Sequence, residues 1–412
     1  MRFFPRAALT RRAVLAGSLS TAAALSFPAW AQPRPAGFEH WLASFRAYAL
    51  RRGVSAQTYA RVMDALVPDL SVLADIRAQP EFTEKLWQYI NRRCSEWRVI
   101  TGRERAREYA DLLARIERDY GVDRFTMLAL WGMESSFGDV IVNRKYMRPV
   151  VPALAALAWR EPRRRRYWEA ELANALIIVD RGWAQPSEMI GSWAGAMGHT
   201  QWMPEVWLHM GVDYDHDGRI TPFGRPDDSM AGTAHYLVAR GGYRRGEAWG
   251  CEVTVPAGLR ADNRSWRTYA IWQASGVKRA DGTGFARPQD RVKLWEPERG
   301  GPVFLVGQNF QAVYSYNPSL AYTLALLHLG DLIRGDAPFH QRFPGGERIP
   351  TLLEVKEIQR RLNERGFPTD GIDGRVGSDT VRAVLAFQKK VGMVPADGYA
   401  GLKVLARLRQ GS

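Results

Sequence analysis

The chain has 412 residues, of which 46% are hydrophobic and 24% charged, and it carries a net charge of +14. This composition is typical of globular proteins and excludes a wholly disordered chain, and the length allows two or more domains. The positive charge favours attraction to polyanions such as nucleic acid, an anionic membrane surface or an anionic cell-wall polymer. Charge alone does not choose among these partners.

The first 31 residues are typical of a signal peptide. A basic front precedes an apolar stretch from Ala13 to Ala29, and Ala29 to Ala31 matches the small-x-small cleavage rule. The segment Thr10 to Leu15, with its arginine pair, is similar to a twin-arginine export motif. We therefore predict that residues 1–31 form a signal peptide for the twin-arginine route. The alternative, an uncleaved anchor helix, is disfavoured by the Gly, Ser, Thr and Pro residues in this stretch.

Two further membrane and redox predictions follow from the rest of the chain. No later run approaches the roughly 18 apolar residues needed to span a bilayer, so we predict no transmembrane segment in the mature chain. Cys94 and Cys251 are the remaining cysteines, too few for a disulfide scaffold or a zinc ribbon. They could pair or stay as buried thiols. No cysteine lies at the cleavage site, so a lipid anchor is not expected.

Helical periodicity dominates the first half of the mature chain. Apolar residues recur at spacings of three and four, which predicts amphipathic helices. The predicted helices cover Phe38 to Gly53, Ala56 to Leu66, Thr83 to Ile100, Arg103 to Tyr120 and Phe125 to Phe137.

The second half has a different texture. Short apolar runs among Gly, Pro and Asp between Cys251 and Leu305 predict a few strands and long loops. A last apolar helix is predicted from about Pro318 to Ile333, with Asn317-Pro318 as its cap and first-turn proline and Gly335 beyond its end. Residues 341–350 are the predicted linker, and residues 351–410 have the periodicity of a small three-helix module.

Glu134 is the first candidate for chemistry. Asp123 can cap a helix that Gly138 stops, which places Glu134 in the last turn. There the helix dipole and neighbouring apolar residues favour the protonated carboxyl, and a raised pKa suits a general acid. The alternative is a surface glutamate on a short amphipathic helix. Glycoside cleavage usually needs two carboxyl groups. Asp139 is the only candidate nearby in sequence, and distant residues could also supply the second one.

The segment from Ser192 to Pro204 is rich in small residues and is the second candidate. Its glycines let the backbone approach a ligand closely, Ser192 and Gln201 can orient the ligand, and Trp202 offers a stacking face. The alternative is a plain loop.

The residues from Asp213 to Thr221 match the opening of a calcium loop. Asp213, Asp215 and Asp217 stand at positions 1, 3 and 5, Gly218 allows the sharp turn, and Arg219 offers its carbonyl. Position 12, where a bidentate glutamate is usual, is Gly224. Asp227 or Asp228 would therefore have to complete the coordination shell of the metal. The alternative is an Asx-rich turn without a metal. The histidines lack the spacing of a zinc site.

Four motifs in this order strongly resemble the lytic murein transglycosylase B family. They are Gly132 to Gly138, Ala194 to Pro204, the Asp-rich loop and Ser315 to Ser319. The resemblance covers about residues 36–340, and the last 60 residues look like the peptidoglycan-binding module often attached to such enzymes. It implies an α+β, mainly α chain with a lysozyme-like domain.

The resemblance also implies an activity. The enzyme would cleave the β-1,4 bond between MurNAc and GlcNAc of peptidoglycan without water, leaving a 1,6-anhydromuramoyl end. Glu134 matches the single catalytic carboxylate and would act first as acid and then as base. Positions that match the family's sugar-binding residues are Ser192, Gln201, Tyr236, Tyr316, Asn317 and Tyr322. Positions on its calcium loop are Asp213, Asp215, Asp217, the Arg219 carbonyl and Asp228, although one extra residue leaves Asp227 open as well.

The sequence therefore supports one functional hypothesis and two alternatives. We expect a periplasmic lytic transglycosylase that needs no cofactor for catalysis and holds a structural Ca²⁺. Its partner would be peptidoglycan glycan strands and not nucleic acid, and proteins of cell-wall synthesis or division could accompany it. The alternatives are a hydrolytic muramidase of the same shape and a non-catalytic cell-wall-binding protein.

Overall fold

The computed structural model describes residues 34–77, 84–142 and 147–410. The predicted signal peptide lies outside these residues. Among the described residues, no helix is both long and apolar enough to cross a bilayer.

Helices make up most of the large domain, as the periodicity predicts. In chain order they are α1 (Phe38–Arg51), α2 (Ala56–Met63), α3 (Val72–Arg77), α4 (Leu86–Arg93), α5 (Glu96–Glu108), α6 (Ala110–Tyr120), α7 (Arg124–Ser135), α8 (Asp139–Val142), α9 (Val150–Arg160), α10 (Arg165–Asp180), α11 (Pro204–Met210), α12 (Asp227–Ala239), α13 (Tyr269–Ala274), α14 (Gln308–Tyr316) and α15 (Leu320–Arg334).

Strands form a two-stranded pair and a five-stranded antiparallel sheet. In the pair, β1 (Arg148–Pro149) bonds to β2 (Ile190–Gly191). The sheet has the order β4-β6-β7-β3-β5. Its strands are β3 (Gly250–Thr254), β4 (Trp266–Thr268), β5 (Lys278–Arg279), β6 (Arg291–Trp295) and β7 (Val303–Val306). The strands expected between Cys251 and Leu305 are therefore present, and the mainly α, α+β fold class is confirmed.

The helix α7 lies in the centre of one apolar core, and most of its side chains are buried. It packs against α15, and the two helices run antiparallel. At one end the Tyr322 hydroxyl of α15 reaches Glu134, and at the other Arg334 Nη2 lies 3.1 Å from Asp123 Oδ1. A second core forms around α9 and α10.

The C-terminal module consists of α16 (Leu352–Glu364), α17 (Ser378–Lys390) and α18 (Leu402–Arg409) around its own small apolar core. It also contacts the large domain. The Asn91 amide on α4 donates to the Tyr399 hydroxyl over 3.0 Å, and Arg375 Nη1 lies 2.7 Å from Asp139 Oδ2. The module is therefore packed on the large domain at α4 and at the residue that follows Gly138.

Several predicted boundaries differ from the structure. The helix expected from Thr83 to Ile100 is divided into α4 and α5, because the Ser95 hydroxyl accepts the Arg98 N–H over 3.4 Å and begins a new helix. Thr83, the first residue of the predicted helix, lies outside the described part of the chain. The last large-domain helix begins two residues later than predicted. Its cap is the Ser319 hydroxyl, which accepts the Tyr322 N–H, whereas Asn317 ends α14.

Both cysteines are buried free thiols in the structure. The Cys94 thiol donates to the Ala325 carbonyl over 3.3 Å in the core beside α15. Cys251 lies in the separate core beneath the five-stranded sheet. Of the two states that the sequence left open, the structure contains the unpaired one.

Candidate active site

Glu134 lies in the last turn of α7, half-buried, where the sequence predicted it. Asp123 caps the other end of the helix, since its Oδ1 accepts the N–H groups of Phe125 and Thr126 at 3.0 and 2.9 Å. The hydroxyl of Tyr322 donates to Glu134 Oε1. A tyrosine hydroxyl that donates to one carboxyl oxygen fixes the orientation of the group, which a positioned acid or base needs.

The turn after Glu134 is tightly constrained. Ser136, Phe137 and Gly138 all have positive φ values of 51°, 60° and 93°. The Phe137 ring folds back on α7, where a Cβ at Gly132 would lie 2.5 Å from it. The Ser135 hydroxyl donates to the His199 carbonyl over 2.6 Å. Gly132 therefore makes room for the Phe137 ring, and Ser135 joins the turn to the Ser192–Pro204 segment.

His199 is a supporting residue that the sequence reasoning missed. Its Nδ1 accepts the Trp131 indole N–H at 3.1 Å, so Nε2 carries the proton and donates to the Gly224 carbonyl at 2.8 Å. Burial lowers the pKa of His199, which favours this neutral form. The ring thus joins α7, the Ser192–Pro204 segment and the end of the Asp-rich loop. Its position in the sequence alone gave no signal of this role.

The Ser192–Pro204 segment forms two tight turns. A Cβ at Gly198 would lie 2.1 Å from the Pro222 carbonyl oxygen, so glycine is required there. Gln201 has a φ of 54°, and its amide Nε2 donates to the Gly198 carbonyl over 2.9 Å. The Ser192 hydroxyl accepts the Ala196 N–H over 3.2 Å. Ser192 and Gln201 are both half-buried.

Tyrosines from α12, α14 and α15 surround the same region. The Tyr316 hydroxyl donates to the Thr200 carbonyl, and its ring lies edge-on to Tyr236 with centroids 5.3 Å apart. Burial and the charge of Glu134 raise the pKa of both Tyr316 and Tyr322. Their hydroxyls therefore remain protonated donors at neutral pH. Asn317 lies next to Tyr316 at the end of α14 and is half-buried.

The prediction that Trp202 offers a stacking face is wrong. Its side chain is 0% exposed, and its indole N–H donates to the Thr233 hydroxyl over 2.9 Å. The ring packs against α12, where a Cβ at Gly232 would lie 2.6 Å from it. Trp202 therefore anchors the segment to the core.

A cavity of about 460 Å³ extends the site on the side of the Asp-rich loop. Gln201 and Gly198 line one wall, and Asp217 and Arg219 line another. Trp183 and Met147 contribute apolar surface. The Gln201 turn and the Asp-rich loop thus face one shared space.

The Asp-rich loop brings three carboxylates together. Oxygens of Asp213, Asp215 and Asp228 lie within 4.8 Å of one another. Asp213 Oδ1 is buried and lacks a hydrogen-bond partner among the described residues. Asp217 Oδ1 accepts the Arg219 N–H over 2.8 Å, which shapes the turn. An orphaned buried oxygen beside two further carboxylates fits a hard cation such as Ca²⁺.

The geometry also separates Asp227 from Asp228. Asp228 faces the loop, where its oxygens accept the N–H groups of Tyr214 and Thr221 at 2.7 and 3.0 Å. Asp227 instead forms an ion pair with Arg225. Of the two aspartates, only Asp228 is placed with Asp213 and Asp215.

The fold and this site define a transglycosylase. Residues 37–331 match the model of the transglycosylase SLT domain family, and residues 352–408 match that of the peptidoglycan binding domain. The chain belongs to the transglycosylase SLT domain family, and the resemblance predicted from the sequence is confirmed.

Individual relatives agree with this assignment. The chain is 29% identical over 231 residues to membrane-bound lytic murein transglycosylase B of Escherichia coli K12, a match that covers 55% of this chain and 61% of that relative. A crystal structure of SltB3 from Pseudomonas aeruginosa in complex with NAG-anhNAM-pentapeptide is 36% identical, with a TM-score of 0.70, and covers 91% of this chain and all of that one.

A more distant structure shares the fold. Slt35 of E. coli, solved in complex with calcium, is 24% identical with a TM-score of 0.60. That match covers 71% of this chain and 92% of the other.

Proposed function

We propose that the protein is a lytic transglycosylase that cleaves the β-1,4 bond between MurNAc and GlcNAc of peptidoglycan and forms 1,6-anhydromuramoyl ends. The observation that carries the proposal is the placement of Glu134 at the end of α7 under the Tyr322 hydroxyl, within a chain of the transglycosylase family. The E. coli relative is a lytic murein transglycosylase, and the SltB3 crystal structure contains an anhydro sugar.

In this mechanism Glu134 acts twice. The protonated carboxyl gives its proton to the glycosidic oxygen as the bond from C1 to that oxygen breaks. The resulting carboxylate then takes the proton of the C6 hydroxyl of the same MurNAc, and O6 forms a new bond to C1. Glu134 ends protonated again, so water is not consumed and no second carboxylate is needed.

The residues around Glu134 would hold the sugar. Ser192, Gln201, Tyr236, Tyr316 and Asn317 are half-buried. Tyr316 contacts the turn of Gln201 through its hydrogen bond to the Thr200 carbonyl, and its ring lies against Tyr236. Their hydroxyl and amide groups suit sugar hydroxyls and N-acetyl groups, and the tyrosine rings suit the apolar faces of sugars. Tyr322 would orient Glu134 as well as contact the substrate. Trp202 is excluded from this set because it is buried.

Ca²⁺ would have a structural role. Asp213, Asp215 and Asp228 would hold it with carboxylate oxygens, while Asp217 and the Arg219 carbonyl lie in the same loop. The ion would balance the converging negative charges and rigidify the loop that His199 and Gly198 contact. No step of the reaction passes through it. The calcium complex of E. coli Slt35 supports this assignment by analogy of fold.

The module of residues 351–410 would bind peptidoglycan, and the protein would work in the periplasm after removal of residues 1–31. We expect deletion of residues 348–412 to weaken binding to sacculi more than it slows cleavage of short soluble glycans. Co-sedimentation with sacculi and a soluble-glycan assay measure the two effects. Equal loss of both would instead make the module, which contacts α4 through Tyr399, part of the catalytic unit.

The experiment that tests Glu134 is a comparison of Glu134→Gln with the parent protein on purified sacculi. Glutamine keeps the shape and the Tyr322 contact but can neither give nor take the proton. We expect release of soluble muropeptides to fall by about 10³-fold or more, at the upper end of general acid–base contributions. An unchanged melting temperature shows that the variant is folded. Equal release by the two proteins would show that Glu134 is not the catalyst.

A further inference from the structure

A second cavity lies at the opposite end of α7 and α15 from Glu134. It has a volume of about 410 Å³. Asp123 at the start of α7 lines it together with Asp331 and Arg334 at the end of α15, Trp249 beside β3 and Phe339 beyond α15. Because Asp123 precedes Glu134 by 11 residues on α7, this cavity is about 16 Å from Glu134 along the helix axis. It is separate from the site described above.

The lining of this cavity is strongly acidic. Three carboxylates share the single guanidinium of Arg334, which lies 3.1 Å from Asp123, 2.9 Å from Asp331 and 2.9 Å from Asp336. Across the whole lining there are six carboxylate side chains and two arginines, namely Asp123, Glu247, Glu252, Asp281, Asp331 and Asp336 against Arg279 and Arg334. Glu247 is paired with Arg244 and Asp281 with Arg279, so the uncompensated negative charge lies mainly around Arg334, where it favours a cationic ligand.

Asp331 is the most buried of the three carboxylates around Arg334. Its Oδ2 accepts the Trp249 indole N–H over 2.9 Å. Burial outweighs the attraction of Arg334 and raises the pKa of Asp331 to about 6, so the group is ionised at pH 7.5. An ionised carboxylate that shares its arginine with two others is incompletely neutralised, and a bound cation would supply the missing charge.

His328 is the independent sign of a ligand. Its side chain is only 3% exposed and lines the cavity, and its ring stacks on Phe339 with centroids 3.7 Å apart. Among the described residues, none forms a hydrogen bond with the ring. Burial lowers the pKa of His328 to about 3, so the imidazole is neutral and has one donor and one acceptor. Buried polar groups normally have a partner, and this one is available only in the cavity.

The chemistry of the lining selects the kind of cation. Among the described residues, the side chains placed to hold a metal ion are those of Asp213, Asp215 and Asp228, and this cluster lies outside the cavity. Its acceptors are spread around a space large enough for several carbon atoms, and Trp249, Tyr243 and Phe339 add aromatic surface. Aromatic faces and separated carboxylates suit alkylammonium groups.

We propose that this cavity is a second ligand site, specific for a small aliphatic amine whose ammonium group lies near Asp331 and Asp336 and whose N–H groups reach the ring of His328. The ammonium group supplies a second positive charge to carboxylates that otherwise share the single charge of Arg334. The site does not depend on the glycan-cleaving activity, because it shares no lining residue with the Glu134 region.

The test uses the full chain carrying Glu134→Gln and titration calorimetry with 1,5-diaminopentane. The matched probe is pentane-1,5-diol, which has the same chain length without charge. We expect saturable binding of the diamine, at least about tenfold weaker binding by Asp336→Asn and by His328→Phe, and no saturable binding of the diol. Asp336 is half-exposed, so its variant should fold. The control Asp111→Asn removes the same charge from an exposed position on α6 and should bind the diamine like the parent.

Three results would overturn the proposal. One is the absence of saturable diamine binding. Another is diamine binding that Asp336→Asn and His328→Phe leave unchanged, which would place the amine elsewhere on the acidic surface. The third is equal binding of the diol, which would make the cavity an apolar pocket without charge selectivity.

Discussion

The two ends of α7 hold carboxylates in opposite settings. At its C-terminal end Glu134 receives a hydrogen bond from the neutral hydroxyl of Tyr322, and at its N-terminal end Asp123 is an N-cap that also contacts Arg334. The helix dipole stabilises negative charge at the N-terminus and disfavours it at the C-terminus. One helix therefore offers a carboxyl group suited to proton transfer at one end and a fixed negative charge at the other.

The groups in direct contact with a carboxylate decide what it can do chemically. A hydroxyl donor orients Glu134 and supplies no positive charge itself. Asp123, Asp331 and Asp336 instead share the positive charge of the Arg334 guanidinium. The Asp-rich loop is a third setting, in which the oxygens of Asp213, Asp215 and Asp228 converge on a space that suits a divalent ion.

The largest effect is expected at the Glu134 end. Tyr322→Phe removes the hydrogen bond to the carboxyl group and keeps the ring packed against α7. A hydrogen bond to a charged group contributes about 1.5–3 kcal/mol, so we expect cleavage of sacculi to slow by about tenfold to hundredfold. The control Tyr314→Phe removes a hydroxyl from a half-buried tyrosine of α14 and should leave the rate unchanged. Equal rates for the two variants would show that the Tyr322 hydroxyl does not contribute to catalysis through Glu134.

The next effect is expected at the Arg334 end. The pKa of Asp331 is raised from 3.8 to about 6, so the folded protein binds more protons than the unfolded chain between these values. Stability should therefore fall as the pH rises through this window, by up to about 3 kcal/mol from this group. Asp331→Asn removes the titration.

Thermal unfolding of both proteins between pH 4 and pH 7 measures this difference. We expect the melting temperature of Asp331→Asn, relative to that of the parent, to increase as the pH rises from about 4 to about 6. The melting temperature of Asp111→Asn, a substitution at an exposed position on α6, should follow the same pH dependence as that of the parent. Parallel curves for Asp331→Asn would mean that folding does not raise the pKa of Asp331.

The smallest effect concerns the Asp-rich loop. A tenfold excess of Ca²⁺ over its dissociation constant should stabilise the folded protein by about 1.4 kcal/mol, which raises the melting temperature by a few degrees. Asp217→Ala and Asp228→Asn should abolish this increase, whereas Asp227→Asn should retain it because Asp227 pairs with Arg225. A melting temperature that Ca²⁺ does not change would exclude the site.

Much of the fold follows from local sequence signals. The apolar period of Phe125 to Phe137 predicts α7, and Asp123 is recognisable as its cap because capping is a contact within a few residues. The same locality makes the position of Glu134 in the last turn predictable. Its neighbourhood with Tyr316 and Tyr322 came from the resemblance to a family, since these residues lie more than 180 positions away.

The remaining features depend on contacts that no local pattern encodes. Trp202 is buried because Gly232 of α12 leaves room for its ring. His199 has its role because Trp131 and Gly224 meet there from distant segments. Asp227 and Asp228 differ by one position on a helix, a rotation of about 100°, so their roles depend on where α12 begins.

In the proposed mechanism the C6 hydroxyl of MurNAc, and not water, attacks C1 once Glu134 has protonated the leaving oxygen. Mass spectrometry of the products released from purified sacculi tests it most directly. We predict muropeptides with 1,6-anhydromuramoyl ends, which are lighter by one water than the hydrolysis products. Reducing muramic acid ends would contradict it and would make the protein a muramidase.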